Sequence, residues 1–336
     1  MLVDYRGAFY SSMRNVDRLC SMDISAISRH FDDSGYRLVV KPFSSVDFRK
    51  DAFAGKHVLY QSSEDPGLHY KSYIEDILLG LDLQGAILIP RFPLFRAHHN
   101  KAFMEILRDL SENQEIKNVR SRVYGTFEEF EQDSTSYPTV LKTSDGGGSV
   151  GVTLLRGERD KRRYGKRFSK AGGLEETIRE RLKAMLWRDY PPRSVHRKKF
   201  VAQNHIPNLQ GDFKVLVFAD KYYVLYRRNR TNDFRASGSG LFEHPESVPP
   251  IVLDFAKSVF ESFQVPIISL DVALNGTEPC LIEFQCLHFG PLTLEDSRFC
   301  FVLRNGVWTK VDGQTVLEKE FVRSIVAYIE NDSKNV

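Results

Sequence analysis

Three oxygen-bearing side chains stand in stretches that are otherwise apolar. Asp271 lies in Ser269-Leu270-Asp271-Val272-Ala273-Leu274, and Glu283 and Gln285 lie in Cys280-Leu281-Ile282-Glu283-Phe284-Gln285. Both stretches read as strands, joined by the turn-rich Asn275-Gly276-Thr277-Glu278-Pro279. An ionised carboxylate in such a strand is costly unless something compensates it. Two of them on neighbouring strands repel unless a cation sits between them.

The spacing is informative. Asp271 and Glu283 are 283 − 271 = 12 residues apart, an even separation. It allows direct opposition across an antiparallel pair, with both side chains on one face. The pairing would centre on Thr277 and needs an odd-numbered loop. A tight Asn275-Gly276 turn would instead oppose Asp271 to Cys280 and send Glu283 to the other face. The longer loop is therefore expected. Gln285, two residues on, shares the face of Glu283. Two carboxylates and an amide oxygen are a hard donor set that suits Mg²⁺ better than zinc. The competing reading is a pair of partly exposed strand acids with solvent between them.

The elements that must position these groups follow from the rest of the chain. Its 336 residues suffice for two or three domains with real cores. Hydrophobic residues at 42% and charged residues at 27% are ordinary for a globular protein and exclude a disordered class. A net charge of +3 is too small to indicate nucleic acid. No apolar run reaches membrane-spanning length, and the first residues lack a signal-peptide pattern. Cys20, Cys280, Cys286 and Cys300 show no paired spacing, so reduced thiols and a cytoplasmic location are expected. Cys286 is expected to be a small core residue.

Residues 1–100 alternate helix-like and strand-like segments. Helices are expected at 23–31, capped near Asp23, and at 70–81. Strands are expected at 37–40, 56–60 and 85–90. The pattern implies a small, mainly parallel α/β domain. Such sheets bind ligands beyond the carboxyl ends of their strands, so the segments after Tyr60 and Ile89 are candidate substrate loops. Gln61-Ser62-Ser63-Glu64-Asp65 supplies polar groups there.

Asn100 is a plausible cap for a helix over 102–110. Lys101 at its start opposes the macrodipole unless it serves a ligand. Residues 138–155 read as strand, glycine-rich loop and strand, with Lys142 ahead of Gly146-Gly147-Gly148-Ser149. Such a hairpin can offer backbone N–H groups to phosphates, or it can be an ordinary surface loop. Residues 156–199 are strongly basic around an expected helix at 174–187; a solvated face is the default reading. A strand at 200–203, a hairpin over 211–228 and a polar loop carrying Arg235 come next. A helix at 249–263 precedes the acidic strands, and an Asn305-Gly306 hairpin and a helix at 316–329 close the chain.

Taken in order, these segments resemble the ATP-grasp superfamily, especially carboxylate–amine ligases such as ribosomal-protein glutamate ligase, glutathione synthetase and D-alanine–D-alanine ligase. The likeness runs from about Lys101 to Gly290. It rests on Lys101, Lys142 before the glycine-rich flap, the hinge strand, Gly211-Asp212-Phe213-Lys214, Asp233-Phe234-Arg235 and the Asp271…Glu283-x-Gln285 pair.

The resemblance implies an α/β protein, α+β in its grasp region. An N-terminal Rossmann-like pre-ATP-grasp domain would cover 1–100, a small subdomain with the flap 101–203, and a subdomain with the metal site 204–336. It further implies that Lys101, Lys142 and the loop Gly146, Gly147, Gly148 and Ser149 hold ATP phosphates. Gln203, Asn204, His205 and Ile206 would line the adenine slot, and Asp212 would bind ribose hydroxyls. Lys214 and Arg235 would act in catalysis. Asp271, Glu283 and Gln285 would hold two Mg²⁺ ions, or Mn²⁺ in their place.

The implied reaction joins a small-molecule or peptide carboxylate to an amine through an acylphosphate, without nucleic acid or membrane, in a chain that can be a homodimer by analogy. Asn204 replaces the usual hinge acid, and Gln285 the usual metal-binding Asn. Both keep an amide oxygen, so shifted geometry is expected rather than lost binding. A kinase acting on a hydroxyl and a non-catalytic Mg·ATP-binding regulator remain as alternatives.

Overall fold

The computed structural model describes the chain apart from residues 11, 16–17, 147–150, 232, 237 and 333–336. It divides into two compact units. The first comprises Met1–His98, Glu112–Ile116 and Asn208–Val336; the second comprises His99–Ser111 and Lys117–Pro207.

An antiparallel sheet forms the centre of the first unit. Its strands run Glu278–Gln285, Ile267–Asn275, Gly211–Phe218, Lys221–Arg228, Phe299–Arg304 and Val307–Asp312, with Phe242–Glu243 also pairing on Lys221–Arg228. Strand alternation splits its side chains cleanly. Val215, Val217, Val224, Leu270 and Phe284 lie on one face, where helix Pro250–Phe263 covers them through Val252, Phe255, Ala256 and Val259. Phe263 of that helix packs on Phe284, ring centroids 4.4 Å apart.

The other face is divided along its length. Leu216, Phe218, Tyr223 and Ile267 join a core with Phe289, Leu294 and Phe321. Further along the same strands that face carries charged and polar residues.

The N-terminal part holds two parallel pairs, Leu2–Val3 with Lys41–Pro42 and His57–Leu59 with Ile87–Ile89. Helix Ile24–Asp33 starts at Asp23, whose carboxylate accepts from Ala26 N, and it packs on the C-terminal helix Leu317–Asp332. The strand expected at 37–40 is not formed; pairing occurs at Lys41–Pro42. Val39 and Val40 are exposed, so their β-branched side chains find no sheet surface to pack on.

In the second unit four antiparallel strands run in the order Ser121–Tyr124, Phe200–Asn204, Thr139–Thr143, Val152–Leu155. Tyr124, Phe127, Phe130, Leu141, Phe168 and Phe200 form its core. Helix Phe127–Gln132 begins with a capping box in which Thr126 and Glu129 satisfy each other's backbone N–H groups. Among the described residues no helix is long and apolar enough to cross a membrane. Cys280, Cys286 and Cys300 are buried and in no disulfide among the described residues.

Candidate active site

Asp271 and Glu283 are directly opposed, and Ser269 opposes Gln285. The route to this register differs from the expected one. Asn275 pairs with Glu278, so the hairpin closes tightly through Gly276-Thr277, with Gly276 at φ +63°. That register alone would set Asp271 against Ile282. A β-bulge between Asp271 and Val272 pairs Val272 with Leu281 and passes over Ile282, which brings Glu283 onto the face of Asp271. The expected longer loop is thus replaced by a short turn plus one bulged residue.

Lys214 and Asp212 share that face. Lys214 lies opposite Asp271 on one side, and Asp212 lies opposite Arg227 on the other. Arg227 grips Asp212 through two bonds, Nε to Oδ1 at 2.7 Å and Nη2 to Oδ2 at 2.9 Å. Its Nη2 also lies 2.7 Å from Asp271 Oδ2. Sequence reasoning counts Arg227, with Lys214 and Arg228, only as a cation near the strand residues and gives it no partner. The signal was the hairpin register. The Ala219-Asp220 loop closes on Phe218 and Lys221, whereas a loop one residue longer would have set Asp212 against Arg228.

Burial dominates the electrostatics of this patch. It pushes the Asp212 carboxyl up to about 6; Arg227 opposes the shift, and the Asp271 charge adds to it. Burial pulls the Lys214 ammonium down, with Asp271 and Glu283 resisting. Three carboxylates against two cations leave about one negative charge, and Gln285 Nε2 donates to Glu283 Oε1 at 3.3 Å. A hard oxygen set with residual negative charge fits Mg²⁺, with Arg227 already engaging one Asp271 oxygen. Gly290, at φ +70°, lies against Lys214: a Cβ there would sit 3.4 Å from Lys214 Cε. Arg235 pairs with Asp233, Nη2 to Oδ2 at 2.8 Å and Nε to Oδ1 at 2.9 Å.

In the second unit Lys101 opens helix Lys101–Leu110, whose cap is Asn100. Its backbone N–H donates to Ser144 O at 2.7 Å, and its Nζ donates to Gly146 O at 2.6 Å. The lysine is therefore tied to the first turn of the glycine-rich loop. Gly147, Gly148 and Ser149 lie outside the described residues. Gly151 returns the chain at φ +74° against Thr143, where a Cβ would fall 2.2 Å from Oγ1, so glycine is required. Lys142 is buried in the middle strand pair, opposite Val152 and Val201.

The hinge residues separate. Gln203 Nε2 donates to Glu105 Oε1 at 3.3 Å, within a buried group in which Glu105 also pairs with Arg108 at 3.1 Å and accepts from Ser121 at 2.7 Å. Asn204 is exposed at the strand end and donates its N–H to Arg120 O. His205 and Ile206 are half-buried beyond it. Burial lowers the His205 pKa, and Arg156 adds to the effect. The Glu105–Arg108 pair was not foreseen.

No protein-family model matches the chain, and no curated protein matches its sequence. Solved structures do share its fold. D-cycloserine synthetase DcsG aligns with a TM-score of 0.53 at 10% identity, over 91% of this chain and 94% of its own. The ATP-grasp ligase PsnB, complexed with minimal precursor, gives 0.51 at 11% identity over 97% and 98%. The macrocyclase MdnC from Microcystis aeruginosa MRC, bound with precursor peptide MdnA, gives 0.51 at 9% identity over 97% and 99%.

Proposed function

We propose that this chain, which has the ATP-grasp fold, is an ATP-dependent carboxylate–amine ligase that forms an amide through an acylphosphate and releases ADP and phosphate. One observation carries the reading: the bulge that places Glu283 opposite Asp271, on the sheet face that also holds Lys214. Arg227 and Lys214 offset only part of the charge of these acids, and a divalent cation would offset the rest.

Asp271, Glu283 and Gln285 would bind Mg²⁺, or Mn²⁺ in its place, as two ions. The metal would supply positive charge that polarises phosphoryl oxygens. Lys101, Lys142 and the loop from Gly146 would cradle phosphates. Lys101 would exchange its Gly146 carbonyl for a phosphate oxygen, a stronger, charge-assisted partner. Asn204, His205, Ile206 and the Gln203 backbone would edge the adenine, because the Gln203 amide is already engaged by Glu105. Asp212 would accept from ribose hydroxyls while Arg227 holds its orientation. Lys214 would face the charge that develops on the transferred phosphoryl, and Arg235 would steady the substrate carboxylate.

No covalent nucleophile is required, and the chain's work is positioning and charge stabilisation. The three-part division at about 100 and 203 is retained with this reading, as is a cytoplasmic location, which the buried cysteines would suit as reduced thiols. DcsG is a synthetase of a small molecule, and PsnB and MdnC are seen with precursor peptides; either substrate class is compatible. Incubation with Mg²⁺, ATP and pooled carboxylate and amine candidates should release ADP and phosphate only when both pools are present. Phosphate left on a substrate hydroxyl would contradict the reading, and so would tight Mg·ATP binding with no turnover in any pool.

A further inference from the structure

The N-terminal part of the first unit leaves its two parallel strand pairs unzipped from each other. Among the described residues no ladder joins the pair Leu2–Val3 and Lys41–Pro42 to the pair His57–Leu59 and Ile87–Ile89. The first pair and the His57–Leu59 strand instead border one cavity of about 420 Å³, a size that holds a small ligand.

The lining falls into two chemistries. Leu2, Phe31, Val58, Leu59, Ile325 and Ile329 supply an apolar wall, and all six are buried. Phe31 comes from helix Ile24–Asp33, and the two isoleucines come from helix Leu317–Asp332. Val39 also lines the cavity and is 53% exposed, an apolar side chain that an occupant would cover.

Charged residues supply the remainder. Arg37, Lys41, Lys56 and Asp51 line the same space. Three cations against one acid leave about two positive charges. Lys41 Nζ donates to Asp51 Oδ1 at 3.0 Å, so that pair is already matched. Lys56 Nζ lies 5.9 Å from the centre of the Phe53 ring. Neither it nor the Arg37 guanidinium makes an ion pair among the described residues, and both residues are exposed.

An apolar wall offers a polar ligand no hydrogen bonds, so the body of an occupant is apolar. Two cations balanced by solvent alone favour an anionic head, and a guanidinium beside an ammonium suits the two oxygens of a carboxylate. None of the residues assigned to ATP or Mg²⁺ lines this space, nor does any of residues 61–65.

We propose that this cavity is a second binding site, for a small apolar carboxylate, with its chain against Phe31, Val58 and Ile325 and its head at Arg37 and Lys56. The site does not depend on the ligase reading. The bound chain touches two strands and two helices that are distant in sequence, so it stabilises the folded state by mass action.

The test uses the full chain with ¹³C-methyl isoleucine, titrated with sodium octanoate. Acetate has the same head without the chain, and octylammonium has the same chain with the opposite charge; both are controls at equal ionic strength. Octanoate should shift the Ile325 and Ile329 methyls saturably, and neither control should. Hexanoate should bind about fifteenfold more weakly, since each of two buried methylenes is worth about fourfold. Arg37→Ala and Lys56→Ala should each weaken octanoate about fivefold or more, through loss of a charge-assisted contact. Val39→Asp should abolish binding by setting a like charge beside the head. All three positions are exposed, so the variants should melt like wild type without ligand.

No saturable shift at these two methyls overturns the site, and so do shifts spread evenly over all isoleucines. Octylammonium binding as tightly as octanoate removes the role of the cations. Octanoate affinity unchanged in all three variants places the ligand elsewhere and also overturns the site.

Discussion

Arg227 reaches past the Gly211–Phe218 strand: its guanidinium is bidentate on Asp212, its cross-strand partner, and 2.7 Å from Asp271 on the strand beyond. One cation therefore neutralises two acids assigned to different ligands. Removing it should leave two desolvated carboxylates without their main counter-charge. Arg227→Ala is expected to lower unfolding free energy by about 3 kcal/mol, the scale for breaking a buried pair from one side. Millimolar Mg²⁺ should restore part of the loss by supplying the missing charge. Urea unfolding with and without Mg²⁺ checks this; a loss too small to measure would contradict it.

The Asp212 carboxyl, raised by burial to about 6 from an ordinary value of 3.8, predicts a pH signature. A raised carboxyl pKa means that the folded state favours the protonated form. Its stabilising contribution is present below about pH 4 and is lost as pH rises through about 6. Asp212→Asn does not titrate. Its melting temperature relative to wild type, without nucleotide, should climb between pH 4 and 6 and level off above. A difference that is flat across this window would contradict the assignment.

Gly290 combines a left-handed backbone with contact to Lys214. Gly290→Val should cost about 1–2 kcal/mol of stability from backbone strain. It should also slow ADP release in the paired-pool assay well beyond that, because the added side chain displaces the Lys214 ammonium. Comparing melting temperature with initial rate distinguishes the two. A rate loss no greater than the stability loss explains would remove Lys214 from the reacting centre.

Glu105 neutralises the fully buried Arg108 and also accepts from Gln203 and Ser121. Glu105→Ala should destabilise the second unit by about 3–5 kcal/mol, since it removes the carboxylate paired with a buried guanidinium. Limited proteolysis should then cut first within residues 117–207. Cleavage unchanged from wild type would show that the pair is not structural.

Much of this was legible in the sequence, and the failures have physical causes. The even separation allowed Asp271 and Glu283 to share a face, and the choice of an odd-numbered loop put them there, because side-chain direction alternates strictly along a strand. Parity could not reveal that the even separation arises from a short turn plus a bulge, since either route adds one residue. The same blindness hid the partner of Arg227, because one residue of loop length decides whether it or Arg228 meets Asp212. The strand expected at 37–40 reflected β-branched composition, but a ladder needs a partner, and Leu2–Val3 pairs only Lys41–Pro42. The engagement of Gln203 by Glu105 joins residues far apart in sequence, beyond the reach of any local pattern.

The central claim is that the opposed acids hold a divalent cation together with nucleotide. Electron paramagnetic resonance titration of Mn²⁺, with and without a non-hydrolysable ATP analogue, tests it most directly. Wild type should bind Mn²⁺ far more tightly with the analogue present, and Asp271→Asn and Glu283→Gln should each abolish that gain while still melting cooperatively. Nucleotide-dependent Mn²⁺ binding that survives in both variants would contradict the account.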